Sequence, residues 1–441
     1  MFKGITSFSN RLMQRYLPDP FLFVIILTFV VFILALLLTP TSPKELITIW
    51  GDNFWNLLTF SMQMVLILLT GYVLASSPIF KSVLSKLASL SKSPGSAIIM
   101  VTLVSMIASW INWGFGLVIG ALFAKELARQ VKNIDYRLLI ASSYSGLIIW
   151  HSGLSGSIPL TIATEGHFTV DLIGIIPTSD TIFATFNLLL ILAIVIIIPI
   201  VNGFMYNKDE AYTIDTSLLN NTNSTPVSST QIGTPADKIE NSWLLSMLIG
   251  ILGLFFVISY FVMNGFKLNL NIVNFTFLFL GIIFHFRPKN FLMAVNDAVK
   301  GASGIIIQFP FYAGIMGLMV ASGLAEQMSS WFVAISNETT FPLFTFISAG
   351  IVNFFVPSGG GQWAVQAPVM LQAGAELGIQ PAITAMSVAW GDAWTNLIQP
   401  FWALPALAIA GLKAKDIMGF CLVNLVITGV IIGIGFILVT I

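Results

Sequence analysis

The chain has 441 residues, of which 56% are hydrophobic and only 9% charged. Soluble domains carry about 25% charged residues, so this composition is that of an integral membrane protein. Nineteen basic residues balance nineteen acidic ones, which leaves no basic surplus to suit nucleic acid. Apolar runs of 19 residues or more exclude the short alternating strands of a β-barrel, and the single cysteine, Cys421, excludes an intrachain disulfide.

In chain order, a polar, basic start over residues 3–15 is expected to lie along the membrane surface. The apolar run 21–39 is too long for a signal peptide and has no small-residue cleavage site after it, so it reads as a retained helix. A short loop with Pro40 and Pro43 leads to a helix over 53–75. Residues 80–91 repeat apolar positions at helical spacing among Lys81 and Lys86, the pattern of an interfacial segment. A hairpin follows over 97–130. The long apolar stretch ending at Thr164 is interrupted by His151-Ser-Gly-Leu-Ser-Gly-Ser157 and Pro159. At about 1.5 Å per residue it exceeds the roughly 30 Å hydrocarbon core, which predicts a broken helix. Another helix spans 181–206.

Residues 207–241 are rich in Ser, Thr, Asn and Asp without periodicity and read as a mobile linker with no chemistry. They divide a first membrane repeat, 1–206, from residues 242–441, a linking helix (242–262) and a second repeat. The second repeat retraces the first: a helix over 271–286, a basic amphipathic segment at 287–300, a helix over 304–323 and an interfacial segment at 326–336. A hairpin with arms 341–355 and 363–377, a broken helix over 382–410 and a closing helix over 417–440 complete it.

The two hairpin tips are the most unusual stretches. Asn353-Phe-Phe-Val-Pro-Ser-Gly-Gly-Gly-Gln362 joins two apolar arms through a proline and three glycines. Its composition predicts a turn in which Gly359, Gly360 and Gly361 leave the helical conformation. Asn112-Trp-Gly-Phe-Gly116 is its counterpart 245 residues earlier. At that offset Gly114 falls on Gly359, Gly116 on Gly361, Gly146 on Gly391 and His151 on Asn396. Glycine-broken segments recurring in order are the mark of an internal repeat.

If both hairpins re-enter the membrane, the intervening crossings invert the two halves. With the N-terminus cytoplasmic, seventeen of the nineteen Lys and Arg residues fall inside, and only Lys44 and Lys267 outside. This is the positive-inside bias. The tips then approach each other near the midplane from opposite sides.

No Lys or Arg is expected at that level, so an anionic substrate would be held by backbone amides at broken-helix N-termini, by hydroxyls and side-chain amides, or by a co-bound cation. The candidates are Asn112, Gly114 and Gly116; Ser152, Gly153, Ser155 and Ser157; Ser358, Gly359, Gly360, Gly361 and Gln362; and Thr395, Asn396 and Gln399. Small residues also serve helix packing in membranes, a reading that fits isolated positions better than clustered breaks. Asp392 stands out, because a carboxylate in mid-helix costs about 2.5–3.5 kcal/mol or more unless paired, protonated or hydrated. It is either a proton or cation relay or a brace bonded to nearby Trp or Asn. His151, with no acid near it in sequence, reads as a structural imidazole. Trp110, Trp113, Trp363, Trp390, Trp394 and Trp402 could line a pocket for a short acyl chain. There is no GK[ST] glycine loop, no His-Glu-x-x-His and no cysteine nucleophile, which argues against an ATP-driven pump and against an enzyme.

The motifs Val356-Pro-Ser-Gly-Gly-Gly-Gln-Trp-Ala-Val-Gln366 and Trp390-Gly-Asp-Ala-Trp-Thr-Asn-Leu-Ile-Gln-Pro-Phe-Trp402 resemble those of the bacterial short-chain fatty acid transporter family. The likeness extends over nearly the whole chain. It implies secondary uptake of small carboxylates such as acetoacetate or butyrate across the inner membrane, without a cofactor, with Na+ or H+ as coupling ion. A passive channel or facilitator on the same scaffold is the alternative. The family is similar to the wider ion transporter superfamily, which implies an all-α fold of two inverted repeats, each with a re-entrant hairpin and a broken helix, an elevator motion and a homodimer. Carried over by motif, the second-half site is residues 358–362 with Asp392, Thr395, Asn396 and Gln399. The first tip departs from the superfamily's Ser-Asn-Thr pattern by lacking hydroxyls beside Asn112, which leaves a sodium site there unsupported.

Overall fold

A computed structural model describes residues 20–214 and 234–439, apart from 354, 355 and 357. The basic start, most of the linker and part of the second tip therefore lie outside the described residues. Among the described residues the chain is helical throughout, with no strand. Six helices among the described residues are long and apolar enough to cross a membrane: Leu58–Ala75, Pro94–Ile111, Thr185–Phe204, Trp243–Asn264, Ser303–Ala321 and Ala414–Leu438.

The 245-residue offset recurs in the helix bounds. Pro43–Asn53 and Pro288–Val299, Leu58–Ala75 and Ser303–Ala321, and Tyr136–Ser145 and Pro381–Asn396 each start 245 residues apart. Pro78–Ala88 with Leu324–Ile335, and Trp113–Gln130 with Gly359–Glu376, agree to one residue at their starts. The register ends after the broken helices. The first half inserts residues 163–184, including the short helix Val170–Ile173, before Thr185–Phe204, whereas Ala414–Leu438 directly follows Pro400–Ala410.

Two expectations are corrected. The stretch after Pro40 is not only a loop, since Pro43–Asn53 is a helix and the next one begins at Leu58 rather than near 53. Ser42 caps it: its hydroxyl accepts from the Glu45 amide while the Glu45 carboxylate accepts from the Ser42 backbone, a reciprocal box that satisfies two orphan donors. The linker is not wholly aperiodic, because Pro235–Glu240 forms a short helix capped by Thr234.

Both pairs of hairpin arms are helical: Pro94–Ile111 with Trp113–Gln130, and Phe341–Asn353 with Gly359–Glu376. In the first, Pro94–Ile111 and Trp113–Gln130 are separated by Asn112 alone, in extended backbone (φ −157°, ψ 127°). Its amide donates to Ala108 O at 2.9 Å and its Oδ1 accepts from the Phe115 amide at 2.9 Å. One residue thus closes one helix and caps the next. A methyl on Gly116 would lie 2.3 Å from Ser109 Oγ, and one on Gly120 2.5 Å from Ser105 Oγ. Those pairs, stepping in opposite directions along the chain, define antiparallel arms packed at backbone distance.

The second tip corrects a further expectation. Gly359, Gly360 and Gly361 do not leave the helix but form the first turn of Gly359–Glu376, capped by Ser358, and none has positive φ. Their helix propensity is low, and tertiary contact overrides it. A methyl on each would come within 2.5–2.6 Å of His151, Phe60 or Tyr312 respectively. The glycines are required for space rather than for backbone freedom.

The buried core follows the hairpins and broken helices, whereas Thr185–Phe204, Trp243–Asn264 and the end of Ala414–Leu438 carry exposed Leu, Ile, Val and Phe. An apolar surface of this kind on a chain with these spans is the face for lipid.

Candidate functional site

The broken helices of the two halves cross at the centre of this core. The first runs Tyr136–Ser145, continues as a 3-10 turn over Gly146–Ile149, opens at 150–156 and resumes as Ser157–Ile162. The second stops at Asn396 and resumes at Pro400. Gly146 and Gly391, equivalent in the repeat, each lie against the first arm of their own hairpin: methyls there would meet Met106 N at 2.7 Å and Phe346 O at 2.3 Å. Small residues therefore seat each broken helix on its hairpin.

At the crossing, Asp392 and His151 are both fully buried, and His151 Nδ1 lies 3.1 Å from Asp392 Oδ2. His151 Nε2 accepts the Ile158 backbone N–H at 3.1 Å. A nitrogen that accepts carries no proton, so the ring is neutral with its hydrogen on Nδ1, donated to the carboxylate. Asn396 Nδ2 donates to the same Oδ2, also at 3.1 Å. His151 and Asn396 are equivalent positions of the two halves, and they converge on one oxygen atom. The other oxygen, Asp392 Oδ1, is buried without a hydrogen-bond partner.

Asn353, at the end of the second hairpin's first arm, extends the network. Its Nδ2 donates to Asn396 Oδ1 at 2.6 Å, Thr395 Oγ1 at 2.9 Å and Asp392 O at 3.1 Å. Thr395 Oγ1 in turn donates to Gly350 O at 2.9 Å. The Tyr144 hydroxyl donates to Asn396 O from the first half. Every donor toward Asp392 is neutral, and Asp392 has no Lys or Arg ion-pair partner among the described residues.

The structure gathers Asp392, Thr395 and Asn396 into one cluster with Gly359 at its edge, where an added methyl would touch His151 Cε1. Ser358 caps its helix, and Gln362 Nε2 donates to Ala349 O and Gln366 Oε1 while its own Oε1 is unpartnered. Tyr144 reaches Gln399 O as well, at 3.4 Å. Asn112 and Gly114 instead face Leu58–Ala75, where Asn112 Nδ2 donates to Ile67 O and a methyl on Gly114 would meet Leu68 O. Gly116 packs inside its own hairpin. Ser155 Oγ accepts the Trp113 amide at 2.9 Å, Ser152 Oγ donates to Ile149 O, and Gly153 lies against Trp110 O. Ser157 opens the resumed helix and is buried.

Reading His151 as lacking an acid partner is corrected, since its partner lies 241 residues away. Asn353 and Tyr144 were not anticipated. The order polar residue, apolar pair, Val-Pro-Ser-Gly at the end of an arm was the available signal for Asn353. Nothing local marks Tyr144.

Beside the second tip lies a vestibule of about 280 Å³, lined by Asn56, Phe60, Gln63, Thr161, Glu165 and Phe168 among others. Phe60, one of its lining residues, packs at 5.5 Å from Phe168 and 5.6 Å from Phe309. A methyl on Gly360 would lie 2.6 Å from the far edge of that ring.

A many-spanning helical fold whose interrupted helices cross at a buried carboxylate defines a multi-pass membrane transporter rather than an enzyme. Solved structures agree at the level of fold. The Alcanivorax borkumensis YdaH transporter superposes with a TM-score of 0.59 at 15% identity, covering 95% of this chain and 98% of that one. Neisseria gonorrhoeae MtrF, described as illuminating a class of antimetabolite efflux pumps, gives 0.51 at 14% identity over 99% and 97%. The chain belongs to the short-chain fatty acid transporter family, whose model matches residues 1–439. It is 43% identical to proteins provisionally named short-chain fatty acid transporters in Escherichia coli (strain K12) and Haemophilus influenzae (strain ATCC 51907 / DSM 11121 / KW20 / Rd), over 99% of both chains in each case.

Proposed function

We propose that this protein is a secondary active carrier that imports small monocarboxylates, such as butyrate or acetoacetate, across the bacterial inner membrane with its N-terminus in the cytoplasm. The observation that carries the reading is Asp392. It is a fully buried carboxylate held on one oxygen by His151 and Asn396 and unpartnered on the other. A substrate carboxylate brought near it places two like charges in a low-dielectric site, so a positive charge accompanies the substrate. Asp392 Oδ1 is the atom that takes up the proton or faces the sodium ion. His151, with Nε2 committed to the Ile158 amide, stays neutral and orients the carboxylate.

In this reading the two halves are inverted repeats, their hairpins re-enter from opposite sides, and the hairpins and broken helices move together as an elevator in a homodimer. The positive-inside charge distribution and the 245-residue recurrence of helix starts support that arrangement. The test is uptake of labelled butyrate into proteoliposomes with imposed proton or sodium gradients. Gradient-driven accumulation is expected; flux that only equilibrates under every gradient identifies a passive facilitator, and gradient-driven extrusion reverses the direction.

A further inference from the structure

Between the two tips three indoles meet. Trp113 opens the second arm of the first hairpin, Trp150 sits at the first helix break, and Trp402 lies in the first turn after the second break. Ring centroids are 5.9 Å apart for Trp113 and Trp150, 5.2 Å for Trp113 and Trp402, and 5.5 Å for Trp150 and Trp402. Trp150 also stacks on His151 at 4.1 Å with the rings 17° apart, and a methyl on Gly359 would lie 3.0 Å from its outer edge. The group thus joins both halves and abuts the Asp392 network.

Trp113 and Trp150 are only 5% and 1% exposed, yet neither indole N–H has an acceptor. Leaving a buried donor unsatisfied costs about 1–3 kcal/mol. Two other indoles of the core are paired: Trp390 Nε1 donates to Asn187 Oδ1 at 3.0 Å and Trp394 Nε1 to Leu425 O at 2.7 Å. Trp50, Trp110 and Trp363 also lack acceptors, but Trp113 and Trp150 are in ring contact with each other at the junction of the halves. Two hydrogen bonds of about 2.9 Å meeting on one carboxylate can bridge rings at that separation.

Resting on the carrier function above, we propose that Trp113 and Trp150 bind the substrate carboxylate through their indole N–H groups. Neutral donors suit a carrier. They recognise an anion without a permanent cation to hold it.

The test uses purified full-length protein in detergent, with calorimetric titration of butyrate and thermal unfolding with and without it. Trp113→Phe and Trp150→Phe keep a ring and delete the donor. Each is expected to raise the Kd for butyrate tenfold or more, while the ligand-free Tm stays level or rises because an unsatisfied group has been removed. Trp394→Phe, which breaks a made hydrogen bond, is expected to lower the ligand-free Tm and sets the scale for a structural loss. Parent-like affinity in both Trp113→Phe and Trp150→Phe overturns this proposal alone. Weaker binding accompanied by a fall in ligand-free Tm as large as that of Trp394→Phe also overturns it, in favour of a packing role. A parent protein that does not bind butyrate overturns the carrier reading itself.

Discussion

Asp392→Asn separates holding the fold together from coupling transport to a gradient. Asp392 Oδ2 accepts two hydrogen bonds at 3.1 Å, from His151 and Asn396. Hydrogen bonds to a charged acceptor contribute about 1.5–3 kcal/mol against about 0.5–1.5 kcal/mol for neutral ones. Neutralisation therefore loses on the order of 1–1.5 kcal/mol per bond, or about 2–3 kcal/mol in all. It also removes a buried charge whose desolvation costs several kcal/mol. The two effects are similar in size and opposite in sign, so the variant is expected to fold with nearly parental stability. Transport has no such cancellation. An amide takes up neither a proton nor a cation in the pH range of the assay, so butyrate counterflow persists while gradient-driven uptake falls to simple equilibration. Both are measured in the same vesicles. Accumulation equal to the parent's refutes the reasoning: Asp392 is then a brace, and another group sets the coupling.

Gly360→Ala places a methyl 2.6 Å from the Phe60 ring and 3.4 Å from Phe309; because Phe60 borders the vestibule it has room to shift, so folded yield is kept and the butyrate uptake rate falls. Gly361→Ala meets the fully buried Tyr312 ring at 2.6 Å and is expected to lower the folded yield measured by size-exclusion chromatography. Asn202 donates to Thr102 Oγ1 at 3.0 Å and Ser145 Oγ at 2.9 Å and accepts from Asn424 at 2.9 Å. Asn202→Ala strands these partners and should cost about 1–3 kcal/mol, read as a lower Tm with butyrate affinity unchanged. Ser96→Cys, in the first turn of the first hairpin, and Glu338→Cys, just before the second, at exposed positions, should react with an impermeant maleimide from opposite sides of the membrane; labelling of both from one side rules out inverted halves. The native Cys421 is fully buried and stays silent in that assay.

Helix positions were legible because apolar runs and their interruptions are local, and the 245-residue offset was legible because glycines and prolines mark it. Asp392, Thr395 and Asn396 were legible for a related reason, as polar groups set in a helix too apolar to carry them without purpose. The Ser42-Pro-Lys-Glu45 capping box was also present in the sequence, obscured by the prolines that suggested a loop. The three glycines misled because propensity describes an isolated chain, whereas Phe60, Tyr312 and His151 arrive from elements at least 49 residues away and decide the backbone there. The pairing of His151 with Asp392 is the extreme case: spacing along a chain carries no information about which helices will cross.

The vestibule has an electrical consequence. At about 30 Å³ per molecule, its 280 Å³ holds about nine waters. Thr164, Glu165, His167 and Phe168 of its lining come from the insertion that the second half lacks. Mobile water carries little of a membrane's potential drop, so a water-filled vestibule shifts that drop onto the packed protein around it. A charge crossing the whole potential gains about 2.3 kcal/mol per 100 mV. A charge moving through that packed layer therefore senses more of the voltage per ångström than one moving through the vestibule.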